Sequence, residues 1–130
     1  MTGVILGALG AHKLKPQLIE SGTLDVWTTA VQYQLVHAVA MLAVTLALMT
    51  SFAREPAQAA LARWFKRATC AWAAGGVLFS GSLYWVALGG PRWLWPFAPT
   101  GGLCLIAGWG CVFIAACVKS TNTKKTASNQ

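Results

Sequence analysis

The chain has 130 residues, of which 56% are hydrophobic and only 10% charged, against about 25% charged in an average soluble domain. That deficit excludes an ordinary soluble domain and leaves a single helical membrane domain. The net charge of +7 does not indicate nucleic acid, because the cations sit in short flanks beside apolar runs and form no basic stripe across a folded face.

The first segment, MTGVILGALGAH, is apolar over eleven residues before His12, about half of a membrane crossing. Three readings fit it: a first helix whose start is lost, a half-crossing helix, or a cleaved signal peptide. No Lys or Arg precedes the apolar run, which argues against the signal, so a short or truncated helix over residues 1–12 is expected. Gly3 and Gly7 form a GxxxG pair with Gly10 one turn on, a pattern that lets a neighbouring helix come close. From Lys13 to Trp27, Pro16 and Gly22 act as breakers and both charge signs occur, predicting an aqueous loop. Thr23 or Asp25 would cap the next helix, and Trp27 falls where an interfacial aromatic is expected.

The second span is expected over about 28–52. Its apolar sequence carries Gln32, Tyr33, Gln34 and His37, polar groups that are costly in a bilayer and so face a bundle interior. Tyr33, Gln34, His37 and Met41 recur at helical spacing and form one stripe; Gln32 points elsewhere. Residues 51–69 carry Arg54, Arg63, Lys66 and Arg67, with Leu61, Trp64 and Phe65 at helical spacing after Pro56. This predicts a short interfacial helix running into a third span over about 68–88. There Gly76 and Ser80 are four apart, with Gly81 beside them, so a small-residue groove should face a neighbour. After the turn GGPRWLWP, the fourth span covers about 97–118 and opens on Pro99, Thr100, Gly101 and Gly102. Residues 119–130 are polar and basic, which predicts a disordered tail. Cys70, Cys104, Cys111 and Cys117 lack CxxC spacing and read as small buried hydrophobes, so no metal is expected.

With four segments, the loop after the second span and the C-terminal tail share one side. That side holds Arg54, Arg63, Lys66, Arg67, Lys119, Lys124 and Lys125, while the other holds Lys13, Lys15 and Arg92. Seven cations against three place both termini in the cytoplasm. His12 then ends the first helix on the outer side, and Gln34 and His37 lie about 9 and 13 Å into the second span. Ser80, Ser82 and Tyr84 approach from the third, and Thr100 opens the fourth. The polar cluster His12, Gln34, His37, Ser80, Ser82, Tyr84 and Thr100 is thus expected in the outer half. Either Gln34, His37, Ser82 and Tyr84 bond one another and carbonyls near Pro99, fixing the packing, or they line a ligand or proton site. An axial haem is not expected, because His12 lies near the surface and His37 near the midplane.

GALGAHKLK, TAVQYQLVHAVAM, LFSGSLYWVAL and PTGGLCLIAGW, in that order and spacing over roughly Gly3 to Trp109, resemble the bacterial membrane family known as domain of unknown function 423, related to vertebrate transmembrane protein 256. The resemblance implies a four-helix inner-membrane protein and carries no substrate. Its motif positions here are Gly7, Gly10, Ala11, His12, Gln32, Tyr33, Gln34, His37, Ser80, Gly81, Ser82, Tyr84, Pro99, Gly101, Gly102 and Trp109. Family members have a longer apolar stretch before the GAHKLK-like motif, which supports a lost start. No nucleophile-base pair, metal spacing or phosphate loop is present. The expectation is therefore a non-enzymatic four-helix membrane bundle without cofactor, an accessory subunit in contact with lipid and with other subunits or itself. The alternatives are a small-ligand binder or transporter using the pocket around His37, and a quinone- or lipid-related enzyme with His37 and Tyr84 moving protons.

Overall fold

The computed structural model describes residues 1–50 and 56–127. All regular elements among them are helical: α1 (Thr2–Ala11), α2 (Lys15–Glu20), α3 (Leu24–Thr50), α4 (Pro56–Ala87), a 3-10 turn (Arg92–Leu94) and α5 (Phe97–Ala127). Three of them contain stretches long and apolar enough to cross a membrane, over Leu24–Met49, Ala59–Ala87 and Phe97–Val118. With 10 residues, α1 runs only about 15 Å. The expected end of the second span at residues 51–52, and Arg54 with it, lie outside the described residues.

Three segments differ from expectation. Between α1 and α3 the chain is not a plain loop: α2 forms there with Pro16 in its first turn, where the missing N–H costs nothing because first-turn amides have no helical partner. The helix also buries Leu18 completely, which gives it a reason to persist. It ends on Gly22 at φ 66, with Gly22 N–H bonded to the Ile19 carbonyl and Thr23 N–H to that of Leu18, the pattern that closes a helix through a left-handed glycine.

The second difference is in α4. The expected interfacial helix and third span are one unbroken helix of 32 residues, because no proline follows Pro56 until the helix has ended. At about 1.5 Å per residue it runs about 48 Å, more than the roughly 30 Å of hydrocarbon. The excess falls on its basic amino-terminal turns, where the Arg67 guanidinium sits 4.7 Å above the Trp64 ring. Gly89, at φ 81, ends α4 as Gly22 ends α2. Third, α5 continues to Ala127 where a disordered tail was expected from residue 119. No Gly or Pro interrupts that stretch, and cations near a helix carboxyl end are favoured by its dipole; residues 128–130 lie outside the described ones.

α1 runs antiparallel along the first half of α3, with Gly3 beside Leu35, Gly7 beside Val31 and Gly10 beside Trp27. α4 packs against both α3 and α5. Two apolar clusters result. One holds Leu18, Trp27, Val31 and Ala87, tied off by the Thr23 hydroxyl donating to the Ala87 carbonyl at 2.9 Å. The other holds Val44, Ala68, Trp72 and Leu105. The polar side chains lie between them.

Two of the helix contacts use the same device. A Cβ on Gly10 would collide with the Trp27 indole, and the Trp27 N–H donates to the Leu6 carbonyl at 3.1 Å. A Cβ on Gly108 would collide with the Trp72 indole, and the Trp72 N–H donates to the Leu105 carbonyl at 3.2 Å. In each case a missing side chain lets an indole lie flat enough on the next helix to reach its backbone. With no hydrophobic drive between helices in lipid, such packing and hydrogen bonding carry the association.

Candidate functional site

His37 is 5% exposed. Its Nδ1 lies 2.8 Å from the Tyr33 carbonyl, and its Nε2 lies 3.2 Å from Trp109 Nε1. A carbonyl only accepts and an indole N–H only donates, so the two partners fix the ring as the neutral Nδ1–H tautomer, with Nε2 accepting. Rings close around it: Tyr33, Trp72 and Trp109 have centroids 6.0, 6.1 and 6.2 Å from the imidazole, and Trp72 meets Trp109 edge-on at 4.9 Å. The histidine therefore joins α3 to α5 inside an aromatic shell.

One turn toward α1, the Tyr84 hydroxyl donates to Gln34 Oε1 at 2.8 Å, and Gln34 Nε2 donates to Thr2 Oγ1 at 2.9 Å. A single amide thus ties α4, α3 and α1. Tyr84 is held from its other side by Trp27, edge-on at 4.7 Å. Ser80 behaves differently: the residue is 2% exposed, and its Oγ has no hydrogen-bond partner.

These groups border a cleft of about 580 Å³ between the start of α1, the middle of α3 and one face of α4. Met1, Thr2 and Leu6, then Gln34, His37 and Met41, then Trp72, Gly76, Ser80, Gly81 and Tyr84 are among its walls, and among the described residues no Asp, Glu, Lys or Arg lines it. Of the seven expected cluster residues, Gln34, His37, Ser80 and Tyr84 share this cleft. The other three do not. His12 is exposed at the end of α1. The Ser82 hydroxyl donates to the Phe79 carbonyl at 2.9 Å and borders a separate cavity of about 80 Å³ with Val26 and Trp95. Thr100 is exposed and donates to the Pro96 carbonyl at 3.3 Å. The expected mutual bonding of Gln34, His37, Ser82 and Tyr84 reduces to the one Gln34–Tyr84 bond.

The glycines divide in the same way. Gly3, Gly7, Gly10 and Gly101 lie at close helix contacts; at Gly101 a Cβ would strike the backbone of Leu78 and Phe79. Gly102 has only ordinary contact with the Phe79 ring, and a Cβ at Gly76 or Gly81 would meet nothing within 4 Å. The packing position on α4 is Gly75, where a Cβ would come within 2.9 Å of the Gly101 carbonyl oxygen. Sequence reasoning also missed Thr2 and Trp72 and had no role for Trp109. A tryptophan in the middle of a span is the available signal, since its N–H must find an acceptor away from water. Among the described residues, no three His, Cys, Asp or Glu side chains come together to hold a metal.

Apolar helices of membrane-crossing length around a buried polar layer define a multi-pass helical membrane protein. The chain belongs to the family described as protein of unknown function (DUF423), which matches residues 6–102. It is 37% identical over 116 residues to the UPF0382 inner membrane protein YgdD of Escherichia coli K12, covering 87% of this chain and 79% of that one. It is 34% identical over 116 residues to the UPF0382 membrane protein YwdK of Bacillus subtilis, covering 89% and 87%. A UPF0382 membrane protein of Staphylococcus haemolyticus is 35% identical over 115 residues, covering 88% and 85%. No solved structure matches the chain.

Proposed function

We propose that this protein is a small, non-enzymatic accessory subunit of a membrane assembly, seated in the bacterial inner membrane. The observation that carries the reading is the bonding of its central polar groups. His37 spends both nitrogens within the bundle and Gln34 bridges Tyr84 and Thr2. That is how a scaffold holds its helices. Large apolar residues face outward on all three long helices, among them Val39, Leu42, Leu46, Val77, Leu103, Ile106 and Phe113, and these surfaces serve lipid and neighbouring subunits. The inner-membrane assignment draws on the name of the E. coli relative. Native electrophoresis of the protein extracted in mild detergent tests the role: a defined complex above the 13.8 kDa chain is expected, and a strict monomer with no co-purifying partner overturns it.

The orientation belongs to the same proposal. Seven cations between residues 54 and 67 and after residue 118, against three on the other side, support a cytoplasmic carboxyl end. The amino-terminal end of α1 points to that same side, since α1 is antiparallel to α3. A reporter fused after Gln130 that is active only in the periplasm would reverse this orientation.

The cleft favours a second reading, a binder of small molecules. Its volume falls in the usual range for ligand sites, about 300–1,000 Å³. An enzyme using His37 and Tyr84 as a proton-transfer pair has less support, because the Tyr84 hydroxyl is committed to Gln34 and the His37 nitrogens to Tyr33 and Trp109.

A further inference from the structure

Serine and threonine in membrane helices ordinarily satisfy themselves on their own backbone. Thr28, Thr45 and Thr69 each donate to the carbonyl four residues back, and Ser82 to one three residues back. Ser80 donates to nothing, although it is buried. It is also the residue on α4 that stands between Gly76 and Tyr84 on the wall of the cleft. A buried hydroxyl without a partner is costly, more so away from water; its Oγ has almost no exposed surface, so an acceptor inside the cleft relieves it once a turn about χ1 brings the hydroxyl round to the cleft.

The remaining walls restrict what that acceptor belongs to. Among the described residues no acidic side chain, lysine or arginine lines the cleft, and the imidazole of His37 has both nitrogens occupied. A charged headgroup would thus enter without a side-chain counter-ion; Met1, at the start of α1, brings only the chain's amino group to the rim of the cleft, away from the wall formed by Gly76, Ser80 and Gly81. Ser80 lies seven residues from Ala87, the end of α4, about 10 Å below that end. Ester groups of bilayer phospholipids sit at the edge of the hydrocarbon core rather than this far inside it. Gly76 and Gly81 leave open space where side chains would stand, which deepens the cleft beside the hydroxyl.

We propose that the cleft between α1, α3 and α4 binds an uncharged, largely hydrocarbon molecule that carries an oxygen acceptor, and that Ser80 donates to that oxygen. This rests on the binder reading above and adds the chemistry of the ligand. The binding wall is Gly76, Ser80 and Gly81; Gln34 and Tyr84 brace one end, and His37 with Trp72 closes the other.

The test is photolabelling of the full chain reconstituted in phosphatidylcholine nanodiscs, with adducts mapped by mass spectrometry. Four diazirine probes of equal chain length are compared: a long-chain ketone, the corresponding hydrocarbon, a fatty acid and a phosphatidylcholine. Labelling by the ketone at residues of the cleft should be saturable by unlabelled ketone and exceed labelling by the hydrocarbon by about three- to tenfold, the worth of one hydrogen bond. Ser80→Ala should bring the ketone down to the hydrocarbon level. Gly76→Leu, where an added Cβ meets nothing within 4 Å and the rest of the side chain extends into the cleft, should abolish cleft labelling while native electrophoresis shows the fold intact. Saturable labelling that is equal for ketone and hydrocarbon, strongest for the fatty acid, or unchanged by Ser80→Ala keeps the binding site and overturns the ligand class. If the phosphatidylcholine labels the cleft as well as the ketone does and nothing is saturable, the groove holds bulk lipid and both readings fall.

Discussion

The two faces of α4 are one residue apart in sequence and opposite in character. Gly75 turns toward α5, where its missing side chain admits the Gly101 carbonyl and Leu105. Gly76 turns toward the cleft and meets nothing. On the α5 face, Trp72 and Gly101 bring backbone against backbone and indole against backbone; on the cleft face, a buried hydroxyl waits without a partner. The same residue type thus has a structural role on one face and leaves space on the other, and the composition of a span does not distinguish them.

The largest break should come where a new side chain would strike backbone rather than a side chain. Gly101→Leu forces a side chain into the Leu78–Phe79 backbone, which cannot move aside like a flexible side chain. A loss of about 3 kcal/mol or more is expected, seen as failure to recover a monodisperse protein in detergent. A sharper comparison uses the neighbouring pair. Gly75→Ala should cost about 1–3 kcal/mol by crowding Leu105 and the Gly101 carbonyl. Gly76→Ala should be neutral or stabilising by up to about 1 kcal/mol, because alanine is the better helix former and the site is open. Steric-trap or denaturant unfolding of the two variants side by side would show whether the faces are assigned correctly; equal effects would reverse the assignment.

Smaller effects are expected in the polar layer. Trp109→Phe leaves the His37 acceptor unpaired and should cost about 1 kcal/mol, within the range measured for hydrogen bonds between membrane helices. A double-mutant cycle with His37→Phe should recover a coupling of that size between the two sites. Tyr84→Phe removes one donor from a Gln34 amide that keeps its bond to Thr2, so about 0.5 kcal/mol is expected. In hydrogen exchange, that variant should loosen α1 before it loosens the α4–α5 pair.

The spans were legible in the sequence because charge is excluded from them, and α3 was legible as a polar-bearing helix because Gln34 and His37 recur at helical spacing. The rotation of each helix about its axis was not. Where every face is apolar, periodicity has nothing to report, so Gly76 and Gly81 looked like packing positions and Gly75 went unnoticed. Ser82 and Thr100 looked like cluster members because depth can be counted from a sequence, whereas direction cannot; both turn to carbonyls of nearby backbone. α2 stands where the sequence predicts a loop, because Pro16 has the look of a breaker, although proline is at home in a first helical turn. The roles of Trp72 and Trp109 are not legible in the sequence, because an indole most often sits at the membrane interfaces.

The continuity of α4 makes it a ruler. Lys66 stands among the cations that belong at headgroup level, and Ser80 follows it by fourteen residues on the same rigid rod, about 21 Å further along. No hinge lies between them, so the depth of the lone hydroxyl is set by the anchoring of the basic turns. In a thicker or thinner bilayer the helix must tilt or the lipid must adjust, while the distance from anchor to hydroxyl stays constant.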